Sequence, residues 1–313
     1  MVKIGATSSA PSVSIVIPCY NQGHYLRQAI DSVLSQDYPC IELIVLDDGS
    51  TDGTRAVLAN YSGRFHFESH ANMGQAGTLN KGWRMSKGEI LSYLSADDFL
   101  LPGAVGRSVE TLIATPGVVL TYCDFNRVDE ESRVLWLVRA PDFSYRDLAV
   151  EIVCQPGPGV FFRRDAFERA GFWNERLRQN PDYEYWLRLG LEGEFVRIPE
   201  VLAAYRMHGE SQSLATTDPS RSEELVNVIS AHFRNHRMPP EISQGRAEAM
   251  SNAHMIAARQ HLRSGRLLAA LEHMRQAFGF HPRSYLRLRN WRMIAKGLVN
   301  RIGYKILKWL KRR

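Results

Sequence analysis

Leu46-Asp47-Asp48-Gly49-Ser50-Thr51-Asp52-Gly53, followed about one strand–helix–strand unit later by Ser95-Ala96-Asp97-Asp98, decides how this chain reads. Each acidic cluster directly follows an apolar run, 41–46 and 90–94, of the kind that makes a strand buried in a parallel sheet. Open α/β sheets bind ligands outside the carboxyl ends of their strands. Paired carboxylates there suit a hard divalent cation, and such a cation suits a ligand carrying phosphates. A nucleoside-diphosphate site is the first expectation.

Outward from these clusters, residues 13–17 read as a β-branched strand closed by Pro18, which has no N–H for a central ladder. Leu26, Ile30, Val33 and Leu34 recur at helical spacing until Asp37-Tyr38-Pro39 stops them. Asp52 is placed to cap a helix through Asn60, residues 64–68 read as a strand, and 75–85 as a helix. This order predicts an α/β fold: a Rossmann-like, mostly parallel sheet flanked by helices. Beyond Pro102 strands are expected at 118–122, 134–138, 160–162, 195–198 and 201–205, with a helix at 183–191. Residues 211–222 read as a polar linker and everything from Glu223 as helical. Within it, 253–282 is spaced like one tetratricopeptide-type hairpin. The expected organisation is a catalytic domain over 1–215 and a helical extension over 216–313.

Ile17-Pro18-Cys19-Tyr20-Asn21, Leu46 through Asp52, Asn72-Met73-Gly74, Asn80-Lys81-Gly82, Gly88-Glu89-Ile90 and Ala96-Asp97-Asp98 occur in this order. Phe162-Arg163-Arg164-Asp165, Asp182-Tyr183-Glu184-Tyr185-Trp186-Leu187-Arg188 and Tyr205-Arg206-Met207-His208 follow. Each piece alone is weak; the ordered set resembles family 2 glycosyltransferases with the GT-A fold. The resemblance covers residues 12 to about 215 and leaves out the helical C-terminal third. It implies a metal-dependent, inverting transfer from a nucleoside-diphosphate sugar, with a UDP-sugar favoured, to a glycan or lipid-linked acceptor of bacterial polysaccharide type. It further implies donor-nucleotide contacts at Pro18, Tyr20, Asn21, Asp47, Asp48, Asn80 and Asp97. A Mn2+ or Mg2+ site is implied at Asp97, Asp98 and His208, with Ser211 and Ser213 near the phosphates. The general base implied is Asp182.

The chemistry suits these residue types. A tyrosine ring lies well beside a nucleobase, and a cation bridging the diphosphate offsets charge on the leaving group. Imidazole completes a carboxylate metal site. A carboxylate takes the acceptor proton as its oxygen attacks. Each residue also has a plainer reading. Pro18 to Asn21 makes a turn, Asp97-Asp98 caps the helix near Pro102, and Pro181 with Asp182 forms a helix start. Two positions depart from the family pattern: Ser95 replaces the first aspartate of D-x-D, and Pro181 the glutamate before Asp182. Arg163, Arg164 and Arg188 serve either phosphate or ion pairs. Of Phe172, Trp173, Tyr183, Tyr185 and Trp186, one or two rings are expected to face an acceptor sugar and the rest to pack.

Composition narrows the class. Hydrophobic residues make up 44% and charged residues 23% of 313, the balance of a globular protein with a core. Cys19, Cys40, Cys123 and Cys154 form no CxxC pair, and three lie in apolar runs, which suggests buried thiols in a reducing compartment. No run suits a signal peptide or a membrane span. The net charge of +6 hides an asymmetry: eleven Lys or Arg and no acid fall between Arg283 and Arg313, leaving the rest at about −5. Trp291, Ile294, Ala295, Leu298, Ile302, Ile306, Trp309 and Leu310 form an apolar stripe amid this basicity. Such a helix suits an anionic membrane surface, making the protein cytoplasmic and peripheral at the inner face of the membrane. Docking on the protein body competes with that reading, and nucleic acid is not an expected partner. Two rival functions remain: a nucleotidyltransferase on a similar sheet, for which 19–24 lacks the Gly-rich basic loop, and a catalytically dead scaffold, which Ser95 and Pro181 permit.

Overall fold

The structure, a computed structural model, describes residues 10–209 and 217–295. These residues form two compact units that alternate along the chain. Residues 144–154, 176–187 and those from Gly209 onward make one unit, and the remainder make the other. The expected division was a single cut at 215, whereas two short segments before that point pack with the C-terminal helices.

The first unit is built on a mixed sheet whose strands lie in the spatial order His66–Ser69, Ile41–Asp47, Val13–Cys19, Ile90–Tyr93, Phe161–Arg163, Val118–Val128, Glu194–Arg206 and Phe99–Leu100, with Val134–Val138 paired to Val118–Val128. Its parallel part is β1 (Val13–Cys19), β2 (Ile41–Asp47), β3 (His66–Ser69) and β4 (Ile90–Tyr93). All of β1 is buried, which is why it reads as a continuous apolar run rather than an alternating one. Pro18 does not end β1: β4 pairs only as far as Val16, so no partner seeks an N–H at Pro18. β5 (Phe99–Leu100), β6 (Val118–Val128), β7 (Val134–Val138), β8 (Phe161–Arg163) and β9 (Glu194–Arg206) complete the sheet. The two strands expected at 195–198 and 201–205 are one strand, β9. Its pairing with β6 jumps from Cys123–Ile198 to Asp124–Val201, so Pro199, lacking a donor, sits in the irregularity. α1 (Gly23–Leu34), α2 (Thr54–Ala59), α3 (Gln75–Met85) and α4 (Ala104–Ala114) complete the β–α crossovers. A Cβ on Gly82 of α3 would fall 2.4 Å from Val16 Cγ1, so the glycine lets the helix sit close on β1.

The second unit gathers α5 (Tyr145–Ala149) and the first seven residues of α7 (Pro181–Leu189) with the C-terminal helices; α6 (Arg164–Ala170) belongs to the sheet unit. The C-terminal helices are α8 (Pro219–His232), α9 (Pro240–Ser243), α10 (Arg246–Arg263) and α11 (Leu267–Phe280). Tyr183 donates its hydroxyl to Leu148 O at 2.6 Å, and Asn252 donates to Val150 O at 2.9 Å. These bonds hold the two early segments to this unit. α10 and α11 are the expected hairpin, joined through Gly265 at φ +85°. Residues 288–295 are helical, and Ile294 is buried with Met255, Ala258 and Ala270. Arg287 pairs with Glu151 at 2.9 Å and with Glu248. The basic segment is therefore part of the packed unit up to residue 295, in line with docking on the protein body, the reading that competed with a membrane surface. The stripe positions from Leu298 to Leu310 lie outside the described residues, as do Ser211 and Ser213.

All four cysteines are free thiols; Cys19 and Cys123 are buried, and Cys40 and Cys154 exposed. Among the described residues no helix is long and apolar enough to cross a membrane.

Candidate functional site

The ends of β1 and β2 are tied together by side chain–backbone bonds. Asn21 takes a left-handed φ of +54°, donates its N–H to Ser50 Oγ at 2.9 Å, and accepts from Thr51 N–H at 2.8 Å. Asp47 is fully buried: Oδ1 accepts from Ser50 N–H at 2.9 Å and Oδ2 from Ser69 Oγ at 2.7 Å. Burial alone would raise its pKa, but the Ser50 and Ser69 hydrogen bonds outweigh it and hold the carboxyl below the usual range. Asp48 accepts from Met73 N–H at 2.7 Å and Gly74 N–H at 2.9 Å. Both carboxylates thus shape loops from within rather than standing open. Asp52 is not the N-cap expected of it, since Gly53 holds that position; from one residue earlier it accepts Thr54 N–H at 3.0 Å and Gly23 N–H at 2.9 Å.

The open surface here is Tyr20, half exposed. Pro18 is buried in β1. Asn80 does not join this group: its amide donates to Trp173 O and Glu175 Oε1 and accepts from Trp173 N–H, all within 2.8–2.9 Å. It fastens the loop at 173–175 to α3.

Past β4, the second acidic cluster meets the end of β9. His208 and Asp97, 111 positions apart, lie 2.9 Å apart from Nε2 to Oδ2. Among the described residues nothing bonds Asp97 Oδ1. Asp98, 5% exposed, accepts Arg206 N–H at 2.9 Å. Burial, then the neighbouring Asp97 charge, drive its pKa well above the ordinary value. Ser95, where the family motif has its first aspartate, accepts Asp98 N–H with its carbonyl. The residue that sequence reading missed is Arg206, 1% exposed. Its guanidinium donates to the carbonyls of Asp97, Asp129 and Glu130 and to Gln28 Oε1, and lies 4.6 Å over the Tyr25 ring. Arg206 locks the acidic turn, the β6–β7 turn and α1 into one assembly. The only advance signal was its place in the Tyr-Arg-Met-His run.

Tested against a divalent cation, Asp97 fits: an imidazole nitrogen and a carboxylate oxygen meet, with a second oxygen open. Asp98 meets the expectation less directly, because one oxygen already serves the backbone. The donor atoms of Asp97, Asp98 and His208 do not converge as a ready-made three-ligand cage; among the described residues the only such group is Glu223, His261 and His273 in the helical unit. There Arg266 Nε donates to His261 Nδ1 at 2.8 Å, which puts the His261 proton on Nε2. His261 and His273 then serve Glu223 Oε1 as two N–H donors at 3.1 and 2.7 Å, so hydrogen bonding accounts for the cluster.

Asp182 belongs to the helical unit, at the start of α7, and accepts Tyr183 N–H at 2.8 Å. Burial raises its pKa, the direction a proton acceptor working near neutrality requires. Just before it, Glu224 accepts the N–H groups of Arg178, Gln179 and Asn180 at 2.6–2.8 Å. That carboxylate, another residue the sequence did not flag, fixes the approach to Asp182.

The expected arginines donate to main-chain oxygens. Arg163 donates to Val118 O, Arg164 to Gly88 O and Ser86 O, and Arg188 to Phe172 O. Trp173, Tyr183, Tyr185 and Trp186 are core residues at 5% exposure or less, leaving Phe172 as the exposed ring of that set.

Residues 14–171, just over half of the chain, match the family described as Glycosyl transferase family 2. The chain belongs to this family. An uncharacterized glycosyltransferase of Rickettsia prowazekii is 32% identical over 233 residues, 72% of each chain. One from Rickettsia typhi is 32% identical over 207 residues, 64% of this chain and 65% of its own length. Chondroitin synthase of Escherichia coli is 28% identical over 72% of this chain, which spans only 33% of that relative. Among solved structures, S. aureus TarS with UDP-GlcNAc superposes with a TM-score of 0.60 at 17% identity, over 93% of this chain and 80% of TarS. Mannosyltransferase PcManGT from Pyrobaculum calidifontis, with GDP-Man and Mn2+, gives 0.61 at 19% identity, over 96% and 88%. This family 2 glycosyltransferase has the GT-A fold.

Proposed function

We propose that this glycosyltransferase transfers a sugar from a nucleoside-diphosphate sugar to a glycan or lipid-linked acceptor, with inversion and with help from Mn2+ or Mg2+. The observation that carries the reading is the Asp97–His208 pair at the carboxyl end of the sheet. Asp97 and His208, with Asp98 behind them, would hold the ion, which supplies neutralisation for the departing diphosphate. Tyr20 offers its ring to the base, a UDP-sugar being favoured. Asn21, Asp47, Asp48 and Asn80 act from behind by holding the loops in shape. TarS and PcManGT bind UDP-GlcNAc and GDP-Man respectively, which supports a nucleotide-sugar donor here.

Asp182 is assigned as the base that takes the acceptor's proton, supported by its raised pKa and the rigid loop before it. Asp182→Asn should keep Mn2+-dependent donor binding and lose at least about a hundredfold in transfer rate. Turnover near wild type would instead leave Asp182 as a first-turn residue stabilising α7 through its dipole. The reading as a whole is tested by titrating nucleoside-diphosphate sugars with and without Mn2+ and following thermal unfolding. A stabilisation that is indifferent to both sugar nucleotide and metal would overturn it.

A further inference from the structure

Among the described residues, one cation close to Met207 and the Asp97–His208 pair has no carboxylate partner. Arg127 of β6 stands opposite Trp136 of β7 and Tyr205 of β9 in the sheet register. Its guanidinium carbon lies 5.7 Å from the Trp136 ring centroid and 5.2 Å from that of Tyr205. Its polar contact is weak, Nη1 to Met207 Sδ at 3.8 Å, and Nε is buried with no hydrogen-bond partner. Of the three carboxylates in the adjoining turn, Asp129 and Glu131 are taken by Arg133 at 2.6 and 2.8 Å, and the third, on the exposed Glu130, makes no ion pair with Arg127. In the same unit Arg197 is matched to Asp124, Arg206 to three carbonyls, and Arg163 and Arg164 to backbone oxygens.

A guanidinium held between rings and left without an acceptor is poised for an anion, which its planar fork grips in two places. Met207 adjoins His208, so this cation lies one residue from the proposed ion-binding pair. Trp136 is 48% exposed, and Val134, Leu135 and Leu137 of the same strand are also exposed. An exposed indole offers a flat apolar face to the C–H side of a sugar ring. We propose that Arg127 and Trp136 form an acceptor subsite for an anionic glycan, the sugar resting on Trp136 and its carboxylate or phosphate pairing with Arg127. The subsite rests on the glycosyl-transfer reading for its role, but not for its ability to bind.

The test separates the two. Calorimetric titration, without donor, uses a glucuronate-terminated disaccharide, a glycerol-phosphate-terminated disaccharide and a neutral N-acetylglucosamine disaccharide. Wild type should bind one or both anionic probes at least about tenfold more tightly than the neutral one, and less tightly as salt rises. The preferred probe identifies carboxylate or phosphate. Arg127→Gln should abolish the preference and Arg127→Lys restore part of it, while Trp136→Ala should weaken all sugars together. In transfer assays Arg127→Gln should raise KM for the anionic acceptor with kcat little changed. Equal binding of charged and neutral probes by wild type overturns the proposal. So does an Arg127→Gln effect confined to nucleotide-sugar affinity, which would assign Arg127 to the donor diphosphate. Absence of donor binding with intact anionic-glycan binding would sink the transfer reading and leave the subsite standing.

Discussion

At the scale of single residues, Asp97 and Asp98 have different surroundings and should fail differently. Asp97 keeps an open oxygen beside His208, so Asp97→Asn should lower Mn2+-dependent donor affinity at least about tenfold while unfolding near wild type. Asp98 is buried and accepts Arg206 N–H, so Asp98→Ala strands that donor and should cost about 1–3 kcal/mol by urea unfolding. Asp98→Asn retains an acceptor and should cost less than the alanine change. Loss of donor affinity in Asp98→Asn without loss of stability would mark Asp98 as a direct ligand. The order of acidic motifs made these positions legible. Their division of labour was not, because it depends on Arg206, and a strand arginine gives no hint in sequence that it will be buried against three carbonyls. The same limit applies to Asp47 and Asn80, whose motif positions were plain while their partners, Ser69 and Trp173, were 22 and 93 positions away.

At the scale of elements, the sequence was most readable where a local pattern decided the outcome. α3 runs Gln75–Met85 as its composition implies, and β7 runs Val134–Val138. It was least readable where pairing decided, as at Pro18 and Pro199, both inside strands because no neighbour needs their missing donor there. Gly82 shows local preference and packing opposed. Alanine in an exposed helix would gain about 1 kcal/mol over glycine, but here its Cβ would enter Val16. Gly82→Ala should therefore destabilise, by about 1–3 kcal/mol in urea. In the helical unit, burial and then the neighbouring His273 push the His254 pKa down to about 4. Its unfolded value is near 6.5, so the unfolded chain takes up a proton first as the medium is acidified. The unit should lose stability from about pH 6.5 down to 4, and His254→Asn should flatten that slope in thermal unfolding followed by circular dichroism. An unchanged slope would place the acid sensitivity elsewhere.

At the scale of the molecule, the basic C-terminal segment is built into the helical unit at Arg287 and Ile294. Residues 296–313 hold seven Lys or Arg and no acid. Removing them should leave unfolding intact and abolish salt-sensitive sedimentation with phosphatidylglycerol vesicles, which the full chain should show. Full-length protein that ignores such vesicles would refute the membrane role. Charge asymmetry was visible in the sequence, but the docking of Arg287 was not, because its partner is Glu151, 136 positions earlier.

The alternation of the two units along the chain has a consequence for how the protein is made. The sheet unit has all its strands once residue 206 has left the ribosome. The turn at 178–180, by contrast, is completed only when Glu224 arrives to take its three N–H groups. The segment carrying Asp182 must then wait, partly unsatisfied, until α8 is synthesised. A nascent or prematurely terminated chain ending before Glu224 would hold every strand of the sheet while lacking the acceptor that fixes the turn before Asp182, the base we propose.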